Sequence, residues 1–450
     1  MAVRLTCYGG VGEIGGNKFL LEDGDAKVLL DFGKGFSEDA VYFDAGIKPR
    51  DVNGAGDLFE FGLLPEISGL YSEEALQNTN LKHVAPEIDA VVLSHYHSDH
   101  TGRISYLDSG IPVHCGETTE LLDEAYSESG DSFLEGHKLK TFRTGDKFKI
   151  GSLEFVPIHV DHSIPGAYGF VISTSRGTMA YTGDFRFHGP MGSMTDDFVQ
   201  AAADAKVSLL LTEGTRVSPD DPKSGMSERE VLDETLRVIR GSDKLVFSSF
   251  RGNDIDRINT FAKAAEATGR EFVVSMKTAL MLEKLAKDKR IKVPRLGKEV
   301  FAYVKRKRSG RLDDKDYWVW ERHLLSVGQT AEQIRKKQNS VFLHMETWSL
   351  PEMIDIKPER GGIYVHSSTE AFNEEGETEE DTVKRWVDHF GLGYHQIHAS
   401  GHAPMDGVKK LVRGVGARTV VPIHTEHPHL FERFSGGKVQ IPRRASSINL

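Results

Sequence analysis

Between residues 94 and 100 the chain reads Ser94-His95-Tyr96-His97-Ser98-Asp99-His100, which packs three imidazoles and a carboxylate into one short stretch. Such groups are costly to bury together unless a cation compensates them. Imidazole combined with carboxylate suits zinc, with manganese or iron as alternatives. His95 and His97 alternate, so on an extended backbone they point the same way. Asp99 and His100 lie beyond a turn and can face a second ion. Two divalent ions about 3.5–4 Å apart form a clamp for in-line displacement at phosphorus. Two ions need further ligands, and the ends of apolar runs supply them. His162 follows residues 155–160, Asp184 follows residues 179–181, and His424 follows residues 420–423. Asp31, in Leu29-Leu30-Asp31-Phe32-Gly33, either orients a ligand from behind or caps a turn.

These residues need strands to hold them. Residues 90–93 form a short continuous apolar run, the mark of a strand buried on both faces, and the histidine motif follows it directly. A helix can begin at Thr101. Residues 3–8, 19–21 and 27–31 read as strands, the last two joined by a hairpin at Asp23-Gly24-Asp25. Residues 155–160, 168–172, 179–181 and 208–212 complete a β-rich first part. Residues 37–83 interrupt it without clean periodicity, as an insertion with a functional or interface role. From about residue 216 the pattern changes. Helices over 227–240 and 254–268 alternate with strands over 245–248 and 271–275, which implies a parallel α/β sheet. Near Tyr394 the His-rich strand-and-loop style returns. One α/β domain is therefore expected to be inserted into another.

Gly10-Val11-Gly12-Glu13-Ile14-Gly15 matches the dinucleotide fingerprint, but a hairpin follows where that fingerprint requires a helix. These glycines are expected instead to let backbone approach metal ligands or a substrate phosphate.

The chain has 450 residues, enough for two domains, with 39% hydrophobic and 27% charged residues. Only Cys7 and Cys115 are present, which excludes a disulfide framework and a Cys-based zinc site and fits a reducing interior. The N-terminus lacks a signal-peptide pattern and no apolar stretch is long enough to span a bilayer, so a cytoplasmic protein with no membrane partner is expected. The net charge of −11 argues against nucleic-acid binding by bulk charge, though not against a basic groove. The basic runs Lys305-Arg306-Lys307-Arg308, with Arg311, and Arg335-Lys336-Lys337 are either such a groove or solvated faces. The acidic run from Glu374 to Asp381 reads as an exposed loop leading into a helix.

The order His95-x-His97-x-Asp99-His100, His162, Asp184, His424 resembles the metallo-β-lactamase superfamily. Within it the chain looks like the β-CASP group of nucleic-acid hydrolases, whose extra motifs match Glu213 in Leu211-Thr212-Glu213-Gly214-Thr215, His402 in His398-Ala399-Ser400-Gly401-His402-Ala403, and His424. The glycine segment from Gly9 to Gly15 together with residues 398–403 looks like the RNase J family. Bacterial members carry an additional C-terminal domain, and some archaeal β-CASP relatives carry N-terminal KH domains. Neither matches, so a compact archaeal type is expected.

The resemblance implies an α/β fold, a metallo-β-lactamase αββα sandwich over residues 1–215 and 386–450 with a β-CASP domain inserted over 216–385. It implies two divalent ions, zinc with manganese as the alternative. His95, His97 and His162 would hold one, Asp99, His100 and His424 the other, with Asp184 bridging. It counts Asp99, Asp184, Glu213 and His402 as catalytic, Glu213 and His402 acting as a pair that protonates the leaving 3′ oxygen. The substrate would be single-stranded RNA, degraded 5′→3′ from a 5′-monophosphate end, with endonuclease activity as an accompaniment. Hydroxyls and imidazolium suit a terminal phosphate, which points to Ser248, Ser249, His398 and Ser400. The bland alternative for Ser248 and Ser249 is a strand end and helix cap. A homodimer through residues 37–83 is expected.

Three rivals stand beside this reading: a small-molecule hydrolase such as a thioesterase or lactonase, a DNA-directed β-CASP nuclease, and a catalytically dead RNA-binding subunit. The first has no use for Glu213 or residues 398–402. The second tends to replace His424 by an apolar residue, and the third usually loses metal ligands.

Overall fold

The computed structural model describes residues 3–43, 46–219, 225–368 and 374–450. Three seven-stranded sheets organise them. The first runs, in spatial order, Ser446–Asn449, Arg4–Gly9, Lys18–Asp23, Ala26–Phe32, Ala90–Val92, Val113–Gly116 and Leu139–Phe142. The second runs Lys438–Val439, Thr419–Ile423, Leu209–Glu213, Gly177–Tyr181, Tyr168–Thr174, Leu153–His159 and Phe148–Ile150. Alternating apolar residues of both sheets, such as Leu5, Phe19, Leu30, Phe155, Phe170, Met179 and Val421, fill the space between them. Helices Gly192–Asp204 and Met405–Val415 cover the outer face of the second sheet. Helix Glu117–Ser129 covers the outer face of the first. The result is an αββα sandwich.

Thr419–Ile423 pairs in parallel with Leu209–Glu213, so the sandwich resumes where it left off after a long excursion. That excursion builds the third sheet, in the order Gly328–Thr330, Val300–Val304, Glu271–Ser275, Val341–His344, Val246–Ser249, Ile363–His366 and Gly393–Gln396. All its neighbours are parallel, as the helix–strand alternation predicts. Its last strand lies beyond residue 385, where the inserted domain is expected to end, because Gly393–Gln396 satisfies its backbone on Ile363–His366. Helix Glu228–Ile239 begins at a capping box of Ser227 and Glu230, and helix Ile255–Ala267 begins at Asp254, whose side chain accepts from Arg257 N.

Three segments differ from expectation. The helix after the histidine motif is Ser98–Thr101, so it contains Asp99 and His100 instead of following them. A carboxylate is favourable in that first turn. Residues 37–83 hold the short helices Ser37–Tyr42 and Gly56–Glu60, and Ala55, Leu58, Leu63, Leu64, Leu70 and Tyr71 sink into the core outside the first sheet. The segment is thus half built into the sandwich. The acidic run lies in helix Glu374–Phe390 instead of a loop. Glutamate is a good helix former and favourable near a helix N-terminus. No described helix is long and apolar enough to cross a membrane.

Candidate metal centre and cleft

Leu153–His159 and Gly177–Tyr181 each run antiparallel to Tyr168–Thr174, and Gly177–Tyr181, Leu209–Glu213 and Thr419–Ile423 are mutually parallel. Their C-terminal ends therefore meet along one edge. His162, Asp184, Glu213 and His424 sit at or just past those ends, and the loop after Ala90–Val92 in the first sheet brings His95, His97, Asp99 and His100 to the same place.

Two donor groups result. In one, atoms of His95, His97, His162 and Asp184 lie within 4.8 Å of one another; in the other, atoms of Asp99, His100, His424 and Asp184 do. Asp184 belongs to both. His97 Nδ1 stands 3.1 Å from His95 Nε2 and 3.0 Å from His162 Nε2. Nitrogens about 2.0–2.1 Å from one tetrahedral ion stand roughly 3.3 Å apart, so this spacing fits ligation.

The back sides of the rings explain their orientation. His162 Nδ1 donates to the Gly401 carbonyl at 2.6 Å, which frees Nε2 for the cluster. His100 Nδ1 donates to Asp31 Oδ2 at 2.7 Å, and its Nε2 lies 3.1 Å from Asp184 Oδ2. His424 pairs through Nδ1 with Thr215 Oγ1 at 2.8 Å and through Nε2 with Asp99 Oδ2 at 2.9 Å. Burial, reinforced by neighbouring imidazoles, holds His95 and His162 well below the usual histidine range, and burial holds His97 down to about 3. Neutral imidazoles are the form a metal binds. Burial works against a charge on His424 too, but the Asp184 and Asp99 carboxylates outweigh it and raise that ring to about 9. The second group thus gathers negative charge that suits a cation.

Asp31 does not cap a turn. It is fully buried and accepts from His100 Nδ1, from Ser94 N at 2.7 Å, from Ser94 Oγ at 2.6 Å and from Tyr181 Oη at 2.5 Å. Glycines allow the close packing behind the cluster. A Cβ on Gly33 would meet the Asp99 carbonyl oxygen at 1.7 Å, and the Gly10 carbonyl accepts from His424 N at 2.8 Å. The glycine segment thus meets a cluster residue.

Glu213 is fully buried beneath His402, whose Nδ1 donates to its Oε2 at 3.0 Å. Burial opposes a charge on His402, but Glu213 and Asp184 overcome it and raise the ring above its ordinary value. His402, His97, Asp99 and His424 all line one cleft of ≈ 2560 Å³ that opens between the sandwich and the third sheet.

The four residues expected to hold a terminal phosphate divide. Ser249, His398 and Ser400 line the cleft. Ser248 does not: strand alternation turns it into the interior beside His344, fully buried and without a partner for its hydroxyl among the described residues. Ser249 Oγ instead pairs with His366 Nδ1 at 2.8 Å. His398 is no imidazolium. Its Nδ1 donates to the Ser367 carbonyl at 2.9 Å, and burial, with Arg257 beside it, holds the ring well below the usual range. Its Nε2 is buried and has no hydrogen-bond partner among the described residues.

Several residues escaped the sequence reading. Thr215 links Glu213, His402 and His424. Asn17 Nδ2 stands 3.1 Å from His100 Nε2. The buried cations Arg186 and Arg257 grip the loop carrying His402, through Ser400 O and Ala399 O, each at 3.1 Å. Thr215 lies within the Glu213 motif, and Arg186 two residues past Asp184, so proximity was the available signal. The basic runs are mostly tied to structure: Lys305 to Ser349, Lys307 to Glu321, Lys336 to Glu332 and Lys337 to Glu271.

A beta-lactamase superfamily domain model matches residues 64–244, and a model described as the Zn-dependent metallo-hydrolase RNA specificity domain matches residues 392–433. With the αββα sandwich, these show a metallo-β-lactamase fold that ends in an RNA specificity domain. A protein of unknown function from Enterococcus faecalis shares the fold over 100% of both chains, with a TM-score of 0.77 at 20% identity. Ribonuclease J of Sinorhizobium meliloti is 26% identical over 94% of this chain and 68% of its own length. Ribonuclease J of Thermus thermophilus is 25% identical over 95% of this chain and 69% of its own. Ribonuclease J 1 of Streptococcus pyogenes is 30% identical over 62% of this chain and 46% of its own. Over most of its length the chain is a homologue of Ribonuclease J.

Proposed function

We propose that this chain is a metal-dependent ribonuclease that hydrolyses phosphodiester bonds of single-stranded RNA, with two zinc or manganese ions held by the paired donor groups. The observation that carries the reading is the sharing of Asp184 between those groups, with the Glu213–His402 pair beside them on one cleft. Homology to Ribonuclease J supports RNA as the substrate. His95, His97 and His162 would hold one ion and Asp99, His100 and His424 the other. Divalent ions there would polarise phosphoryl oxygens and lower the pKa of water. His402, kept protonated by Glu213, faces the cleft as a proton donor to the leaving 3′ oxygen. Ser249 and Ser400 would offer hydroxyls to a 5′-monophosphate, the end from which nucleotides would be removed in the 5′→3′ direction.

The deciding experiment follows a 5′-monophosphorylated RNA, labelled at its 5′ end, with Zn²⁺ or Mn²⁺, beside an Asp184→Ala control. Release of labelled mononucleotide by the native protein alone supports the exonuclease. Longer labelled fragments indicate an endonuclease, and no cleavage overturns the reading.

The same reading has the protein act in the cytoplasm as a homodimer. Exposed Ile47, Val52 and Phe61 support the dimer, and an unchanged solution mass in an Ile47→Asp/Val52→Asp variant would remove it.

A further inference from the structure

Arg251 follows strand Val246–Ser249 of the third sheet, yet its guanidinium lies over the ring of Phe36, which belongs to the sandwich, 5.9 Å from the ring centroid. Both residues line the cleft together with His97, Asp99, His402 and His424. Phe36 is tied closely to the donor groups: a Cβ on Gly15 would stand 3.0 Å from Asp99 Cβ and 3.0 Å from the Phe36 ring. Arg251 is near enough to His97 that its charge bears on that ring.

Arg251 lacks a counter-charge among the described residues, as do Lys34 and Lys48 of the same cleft, but of these three only Arg251 lies over an aromatic ring. Arg50 and Arg103 line the same cleft, but the first is bonded to Asp57 at 2.6 Å and the second is locked to Asp39. Lys277 is likewise paired with Asp131. Arg251 is exposed, and among the described residues no carboxylate or carbonyl meets its guanidinium. An arginine fork donates to phosphate oxygens in two parallel bonds, and an aromatic ring beneath it fixes its plane at small entropic cost.

The geometry points to Arg251 as a phosphate clamp. It grips the RNA backbone phosphate next to the scissile one and draws the strand against the metal centre, with Phe36 as the positioning residue that seats the guanidinium. This rests on the reading that RNA occupies the cleft. The clamp spans the inserted sheet and the sandwich, so it ties strand binding to the mutual placement of the two bodies.

The test compares KM for single-stranded RNA, its dependence on salt, and hydrolysis of bis(p-nitrophenyl) phosphate, a diester too small to reach beyond the metal centre. Arg251→Ala should raise KM for RNA about tenfold and flatten the salt slope by roughly 0.7, the share of one single-strand phosphate. Its loss on RNA should exceed its loss on the small diester about tenfold. Arg251→Lys should keep the salt slope while losing part of the affinity. Phe36→Leu should raise KM in the same direction, and Phe36→Tyr should restore it. Arg311→Ala, an exposed cation outside the cleft, should match the native protein. Equal KM and salt slope in Arg251→Ala and the native protein would overturn the clamp alone. So would equal losses on RNA and the small diester. A native protein that neither binds nor cleaves RNA would overturn the ribonuclease reading and the clamp with it.

Discussion

His402 Nδ1 donates to Glu213 Oε2 at 3.0 Å, and this carboxylate is fully buried. The imidazole above it is therefore held as a donor to the cleft. His402→Ala and Glu213→Gln should each lower kcat on RNA about 10²-fold, the usual worth of a positioned acid. Metal content, measured on the purified variants, should stay at the native level. A loss of metal in His402→Ala would instead make His402 a ligand.

Asp31 touches no ion site directly but fixes the ring of His100 and the backbone of Ser94. Partners behind ligating histidines are commonly worth about 10–100-fold in metal affinity. Asp31→Asn should weaken metal binding by that factor, read by competition with a chelator. Unchanged affinity would return Asp31 to a purely structural role.

Arg186 has no exposed surface and binds Asp161 at 3.1 Å, Asp256 at 2.5 Å and the Ser400 carbonyl at 3.1 Å. Arg186→Met would leave Asp161 buried and uncompensated, at a cost of about 3–5 kcal/mol. Unfolding in urea should show that loss. Arg186→Lys should not recover it, because a point charge cannot serve three acceptors in a fork.

His344 is buried against Phe250, with ring centroids 3.8 Å apart and no partner for either nitrogen among the described residues. Burial lowers it from 6.5 to about 3. Between those values the unfolded chain takes up a proton that the folded chain refuses. Stability therefore falls as pH drops from about 6.5 toward 3, by about 3 kcal/mol at pH 4. His344→Phe should flatten that part of the acid-unfolding profile. An unchanged slope would show that His344 stays protonated within the fold.

The sequence alone determined the histidine motif, its place behind a buried strand, and the strand-end positions of His162, Asp184 and His424. Spacing along a strand is set by covalent geometry, and a strand's end is marked by where its apolar run stops. It also determined the alternation that makes the inserted sheet parallel. Which of two adjacent serines faces the cleft depended on the register of Val246–Ser249 against Val341–His344, which fixes the face that Ser248 shares with His344. The role of Asp31 and the charge state of His398 depended on neighbours distant in sequence: Ser94, His100 and Tyr181 in one case, Ser367 and Arg257 in the other. The pairing of Arg251 with Phe36 depended on two bodies meeting across a cleft. A local pattern carries no record of such contacts, because hydrogen bonding, burial and charge act through space between segments that only the folded chain brings together.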